Sequence, residues 1–215
     1  ILSYAVEEGI IATNPVRGVV RPADNKRQIR LSSEEYEKVG TALADADRGG
    51  ENPAALAAVK LLLLTGARKG EIENLQWGET GSSVRPIGSP IFEILQTLPR
   101  ASDFVLMGRS PGAPYRGLPK AWQRIATRAG LPKEITLHVF RHTFASICND
   151  LGLTEPTIAA LIGHSSGGGT TRRYIHHLDE ALLAAADRVS IHISNLLAGN
   201  TESSMVPISN HRKWT

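Results

Sequence analysis

The run Ala54-Ala55-Leu56-Ala57-Ala58-Val59-Lys60-Leu61-Leu62-Leu63-Leu64 restricts the possible folds more than any other stretch. Only Lys60 interrupts it, so a helix formed here has no polar face to show water and must be buried among other elements. Pro53 suits the first turn of such a helix, and Thr65-Gly66 ends it. The run is far too short to span a bilayer. With 215 residues and 41% hydrophobic content the chain can bury a real core, but at 5% aromatics that core is aliphatic. The single cysteine, Cys148, excludes an internal disulfide framework and a cysteine-rich zinc site. No signal-peptide pattern opens the chain. The expectation is a soluble, cytoplasmic protein of a reducing compartment, with no membrane partner.

Around that run the pattern is mostly helical. Residues 1–9 read as the last turns of a helix stopped by Gly9, without a start methionine, as if the chain begins inside an element. From Asn14-Pro15 to Arg30 runs a linker with Arg17, Arg21, Lys26, Arg27 and Arg30 against the single acid Asp24. Such a stretch is a solvated connector or lies along a nucleic-acid backbone. Ser32 and Glu35 make a capping box for a helix to about Ala46. Arg68-Lys69-Gly70-Glu71 starts a short helix, and Arg68, following a buried helix, is expected on the inner side of the protein. Ser89 caps a helix to Leu98, and Leu118 to Ala129 forms another. Lys120, Arg124 and Arg128 recur every four residues along it, one basic stripe. Thr136 caps a helix to about Asp150, and Thr154 caps Glu155 to Ile162. A short helix near Thr170 to His176 presents Tyr174, and an amphipathic helix runs from Asp179 to Leu197. Val84-Arg85-Pro86-Ile87 and Asp103 to Met107 read as strands, the first with no long partner nearby. The fold class is mainly α with a small antiparallel β-sheet (α+β).

The chemistry gathers between His138 and Tyr174. His138 and Arg141, three apart on a helix, share a face and can converge on one small anion. His164 follows a short apolar helix and precedes a Ser-Ser-Gly-Gly-Gly turn, after which Tyr174 follows two arginines. Arginine suits the charge that builds on a phosphodiester under attack, because its planar fork matches two oxygens and stays protonated. Arg68 and Arg141 are the candidates. A tyrosine nucleophile needs an imidazole to take its proton, and His138 is placed for that work. Neither a metal nor a cofactor is required. Other constellations fail on context. Gly163-His164-Ser165-Ser166-Gly167 matches a hydrolase elbow but follows a helix instead of a strand. His138 and His142 have the zinc-helix spacing, but Val139 stands where the glutamate base belongs. Gly66 to Gly70 lacks the ending and spacing of a P-loop.

Taken together, these boxes resemble the catalytic domain of the tyrosine recombinase (phage integrase) family over residues 31–197. Leu63-Leu64-Thr65-Gly66-Ala67-Arg68-Lys69-Gly70-Glu71-Ile72 resembles the family's first box. His138-Val139-Phe140-Arg141, followed by His142-Thr143-Phe144-Ala145, resembles the second, and Leu161-Ile162-Gly163-His164 the third. The resemblance implies Tyr174 as nucleophile and Arg68, His138, Arg141 and His164 as its partners around the phosphate, with Glu71 orienting Arg68. It implies an enzyme that breaks and rejoins DNA through a 3′-phosphotyrosine, working as a homo-oligomer, a tetramer in the synapse, on double-stranded DNA sites of a mobile element. Residues 1–14 resemble the end of the family's DNA-clamping domain, 15–30 its linker, and 198–215 a tail; this tail and the helix from Asp179 resemble segments that dock on a neighbouring protomer. Arg17, Arg21, Arg30, Lys120, Arg124 and Arg128 are the backbone-phosphate candidates. One departure stands out. The family's hairpin lysine has no counterpart between Lys69 and Lys120, and the stretch from Trp77 to Val84 is too brief for the hairpin. A segment is therefore expected to be missing relative to the family. The alternatives are a non-catalytic or cleavage-impaired DNA-binding relative and a type IB topoisomerase-like enzyme.

Overall fold

A computed structural model of the protein describes residues 1–19, 29–78, 85–110, 112–163 and 175–200, with side chains in the last stretch from Glu180 onward. In chain order the helices are α1 (Leu2–Glu7), α2 (Ser33–Arg48), α3 (Pro53–Thr65), α4 (Lys69–Glu73), α5 (Ser89–Thr97), α6 (Leu118–Arg128), α7 (Leu137–Asp150), α8 (Glu155–Leu161) and α9 (Ile175–Leu197). The helix around Tyr174 and the last helix were expected as separate elements, but residues 175 and 176 already belong to α9. Tyr174 itself lies outside the described residues.

The apolar run forms α3 and sits at the centre, packed against α2, α4, α5, α6, α7 and α9. Leu61, Leu62 and Leu63, consecutive and pointing to different sides of the helix, are each 1% exposed or less. The start signals behave as local chemistry requires. Glu35 N–H donates to the Ser32 hydroxyl while Ser32 N–H donates to the Glu35 carboxylate, closing the capping box of α2. Asn52 caps α3 by accepting from Ala54 N–H, with Pro53 in the first turn.

Two devices lock the outer helices to this centre. The Thr143 hydroxyl of α7 accepts from Leu31 N–H at 3.1 Å, tying the chain entering α2 to α7. The N-terminus of α5 is held by another helix. Gly88, not Ser89, occupies its cap position, and both the backbone N–H and the hydroxyl of Ser89 donate to the Asp187 carboxylate of α9, at 2.7 and 2.6 Å. One carboxylate thus satisfies an exposed helix start and joins two helices distant in sequence. On α9, Ala185, Ala186, Val189, Ile193 and Leu196 are buried against α2, α3, α5 and α8 of the same chain. The inner face of this helix is therefore taken up within the protomer.

The expected small sheet is not formed among the described residues. Asp103 to Met107 pairs on both sides, but only through isolated antiparallel bridges, Gln76 with Phe104 and Met107 with Pro114. The flanking backbone bonds, Trp77 N–H to Asp103 O and Tyr115 N–H to Leu106 O, are each 2.8 Å. Each partner stretch is too short to extend the pairing into a ladder. Val84 lies outside the described residues, and Arg85 to Ile87 forms no strand.

Candidate functional site

The most buried charged group of the site is Arg141. Its residue is 9% exposed, on the inward face of α7. Its Nη1 donates to two backbone carbonyls, Gly66 O at 2.9 Å and Ile162 O at 2.8 Å. One belongs to the turn after α3 and the other to the end of α8, so a single guanidinium fastens the three sequence boxes together. Helix ends expose unpaired carbonyls, which is why a buried cation finds acceptors there. Gly66 makes the approach possible. It ends α3 with φ +58°, and a Cβ there would lie 2.7 Å from the Phe144 ring. Nη2 of Arg141 is buried with no partner among the described residues.

Arg68 opens α4, but its side chain is 56% exposed, not on the inner side as its position after a buried helix suggested. The chain leaves α3 through the left-handed Gly66 and turns outward before α4 begins. Glu71 holds this turn together. Arg68 N–H donates to Glu71 Oε2 at 2.7 Å, and Arg68 Nη1 to Glu71 Oε1 at 3.2 Å.

Arg85 is a residue the sequence reading placed in a strand and gave no role. Its side chain is 16% exposed and reaches back to Glu71, with Nη2 2.6 Å from Oε2. Its guanidinium also lies against Gly163, where φ is +68° and a Cβ would sit 2.4 Å from Nε. The signal available in the sequence was an arginine between Val84 and Pro86, in a stretch forced to be extended and with no acid of its own.

The electrostatics follow from three guanidinium groups around one carboxylate. Burial would raise the Glu71 carboxyl, but the Arg68 backbone N–H and the Arg85 and Arg68 side chains hold it below the usual carboxylate range. Burial pulls Arg141 down from the ordinary arginine value, and the charges of Arg68 and Arg85 pull it the same way, with Glu71 opposing. Arg141 nevertheless stays protonated across the physiological range. The cluster carries two positive charges in excess, beside buried donors, which is a demand for an anion with several acceptor oxygens.

His138 is exposed, and its Nε2 lies 3.1 Å from Nε2 of His142, with the rings edge to face at 4.7 Å. Among the described residues no hydrogen bond joins it to either arginine, although it shares a helix with Arg141. His164 and Tyr174 lie outside the described residues, as does Arg21. Of the other basic candidates, Arg17 is exposed and Arg30 pairs with Asp150 at 2.9 Å. Lys120, Arg124 and Arg128 line the exposed face of α6, but Arg124 is engaged by Glu51 through two bonds of 2.8 Å.

Residues 83–181 match the model of the phage integrase family. The tyrosine recombinase XerC of Actinobacillus pleuropneumoniae serotype 7 (strain AP76) is 25% identical, the match covering 81% of this chain and 63% of the relative. The tyrosine recombinase XerD of Mycobacterium tuberculosis (strain CDC 1551 / Oshkosh) is 28% identical, covering 86% of this chain and 70% of the relative. That alignment runs over 220 positions, more than the 215 residues of this chain, so the relative carries stretches with no counterpart here. Among solved structures, a lambda integrase dimer bound to a COC′ core site shares the fold with a TM-score of 0.54 at 22% identity, covering 76% of this chain and 67% of that one. Residues 83–181 thus match the phage integrase family model, and over most of its length the chain is similar to tyrosine recombinases and shares their fold.

Proposed function

We propose that this protein is a site-specific DNA recombinase or integrase that cuts and rejoins strands through a 3′-phosphotyrosine at Tyr174. In this reading the Tyr174 oxygen attacks phosphorus, the bond to the 5′-oxygen breaks, and that oxygen takes a proton from solvent to leave as a free 5′-hydroxyl. The reverse attack by a 5′-hydroxyl on the phosphotyrosine restores the diester. Arg68, Arg141 and His164 take the non-bridging oxygens, and His138 accepts the proton of the phenol. His142, in hydrogen-bond reach of His138, is the neighbour able to pass that proton outward. Electrostatic preorganisation of this kind is worth about 3–4 kcal/mol per donor in comparable oxyanion sites.

The observation that carries the proposal is the buried Arg141, tied to two boxes of the motif and holding a donor with no partner among the described residues. Buried donors without a partner are uncommon, which makes this one a candidate to bind an anion. Residues 31–197 serve as the catalytic domain in this reading. Residues 1–14 are the end of a DNA-clamping domain, 15–30 a basic linker and 198–215 a tail. The partners are double-stranded DNA and further copies of the chain, a tetramer when two sites are synapsed. Arg17, Arg21, Arg30, Lys120 and Arg128 lie along backbone phosphates, and Arg124 joins them only by leaving Glu51. The cell compartment is the cytoplasm.

One specific observation favours a second reading, a cleavage-impaired DNA-binding relative. No lysine stands between Lys69 and Lys120, and the alignment with the Mycobacterium tuberculosis relative runs over more positions than this chain has. A pool of nicked duplexes with randomised flanks separates the two. Detergent-resistant adducts that disappear in Tyr174→Phe support the enzyme, while salt-sensitive binding without adducts supports the binder. Relaxation of a plasmid irrespective of its sequence would instead mark a topoisomerase-like activity.

A further inference from the structure

We propose that Arg85 is a third phosphate-binding arginine of this site, donating through its Nη1 to the same phosphodiester that Arg68 and Arg141 hold. The assignment rests on the strand-cleaving reading for its substrate, but its own grounds are geometric.

Arg85 comes from the stretch before α5, an element none of the three boxes contains, yet it touches two of them. Through Nη2 it bonds Glu71 of the first box at 2.6 Å, and its guanidinium lies on the backbone of Gly163 in the third. The carbonyl of Ile162, one residue earlier, is the one that Arg141 of the second box grasps at 2.8 Å. Arg85 is thus seated beside Arg141 at the meeting point of the boxes. The lack of a side chain at Gly163 admits it, since any Cβ would overlap the guanidinium.

The unpartnered donors of this cluster point to an anionic ligand. Among the described residues Glu71 is the one carboxylate bonded to this group, and it is shared between Arg68 and Arg85. Nη1 of Arg85 and Nη2 of Arg141 are both buried and both lack a partner among the described residues. Two orphaned cationic donors in one cluster call for an anion offering at least two oxygens, as a phosphodiester does. Glu71 then acts as a clamp, fixing the approach of Arg85 while leaving its second nitrogen free to donate. Arginine cannot release a proton at neutral pH, so the role of Arg85 is to bind charge and not to protonate a leaving oxygen.

The test uses the full chain and inorganic phosphate as probe. Thermal unfolding is followed against phosphate, with chloride controls at matched ionic strength, and the specific stabilisation gives the affinity by linkage. Wild-type protein should be stabilised by phosphate beyond chloride. Arg85→Gln, which removes the charge and the Nη donors but leaves a polar side chain, should weaken phosphate on the order of ten-fold, the loss expected for one charge-assisted bond. Arg85→Lys should recover part of that loss. Gly163→Ala, which displaces the guanidinium without removing it, should weaken phosphate as well. If Arg85 serves only to pair with Glu71, Arg85→Gln will unfold earlier in chloride yet keep the whole phosphate increment, and the assignment falls. It falls too if phosphate stabilises the wild type no more than chloride. The nicked-duplex assay keeps the two proposals apart. Phosphate binding that depends on Arg85 without any covalent adduct sinks strand cleavage but not the pocket. Adducts formed at an unchanged rate by Arg85→Gln sink the assignment but not strand cleavage.

Discussion

Gly66 shows how much the site depends on single backbone positions. Its left-handed φ is unfavourable for any other L-residue, and its missing side chain is what lets the Phe144 ring close over the turn. Gly66→Ala should therefore cost about 2–4 kcal/mol, combining backbone strain with overpacking, measured as a lower urea midpoint at unchanged slope. Cys148 offers a second residue-level check. Burial pushes its thiol up to about 12, so it remains protonated and unreactive in the native protein. A thiol reagent at pH 8 should label it only as fast as the protein opens, and prompt labelling under native conditions would contradict the packing around α7. Arg68 and Arg141 were legible as site candidates because their boxes are contiguous in sequence. Their environments were not, since the exposure of Arg68 and the burial of Arg141 follow from the direction in which the chain leaves Gly66. Arg85 was illegible for a related reason. Its partners, Glu71 and Gly163, are brought to it only by the packing of α4 and α8.

Among the elements, α3 carries the core and α9 closes it. Leu63→Ala in α3 should cost about 2–5 kcal/mol, the range for a leucine cavity in a packed interior, again read from chemical unfolding. The joint between α5 and α9 is instead electrostatic and pH-dependent. Donation from the Ser89 hydroxyl and backbone N–H holds the Asp187 carboxyl below its usual range. A carboxyl depressed in the folded state stabilises fully above its unfolded value, near pH 4, and that contribution is lost as pH falls through the lower folded value. Asp187→Asn should thus be less stable than wild type at pH 7, with the difference shrinking as the solution is acidified below about pH 4. A gap that stays constant with pH would show that Asp187 contributes by shape alone. Helix starts were largely readable from local signals, as at Ser32, Pro53 and Thr154. The sheet was not, because Asp103–Met107, read as a strand, meets only single bridges at Gln76 and Pro114. The cap of α5 was missed because its partner, Asp187, lies at the far end of the sequence.

At the scale of the whole molecule, three boxes far apart in sequence are joined by Arg141 and Glu71 into one cationic cluster on an α3-centred helical fold, and that cluster is what a DNA phosphate would meet. The central claim is that the oxygen of Tyr174 completes it as nucleophile. The most direct measurement traps the adduct on nicked DNA, digests it with nuclease and protease, and identifies by mass the peptide that carries the nucleotide remnant. The account predicts the remnant on Tyr174, as a phosphodiester to the phenol, and none on the same peptide from Tyr174→Phe. A remnant on another residue, such as Tyr4, Tyr36 or Tyr115, or no covalent remnant on any duplex the protein binds, would contradict it.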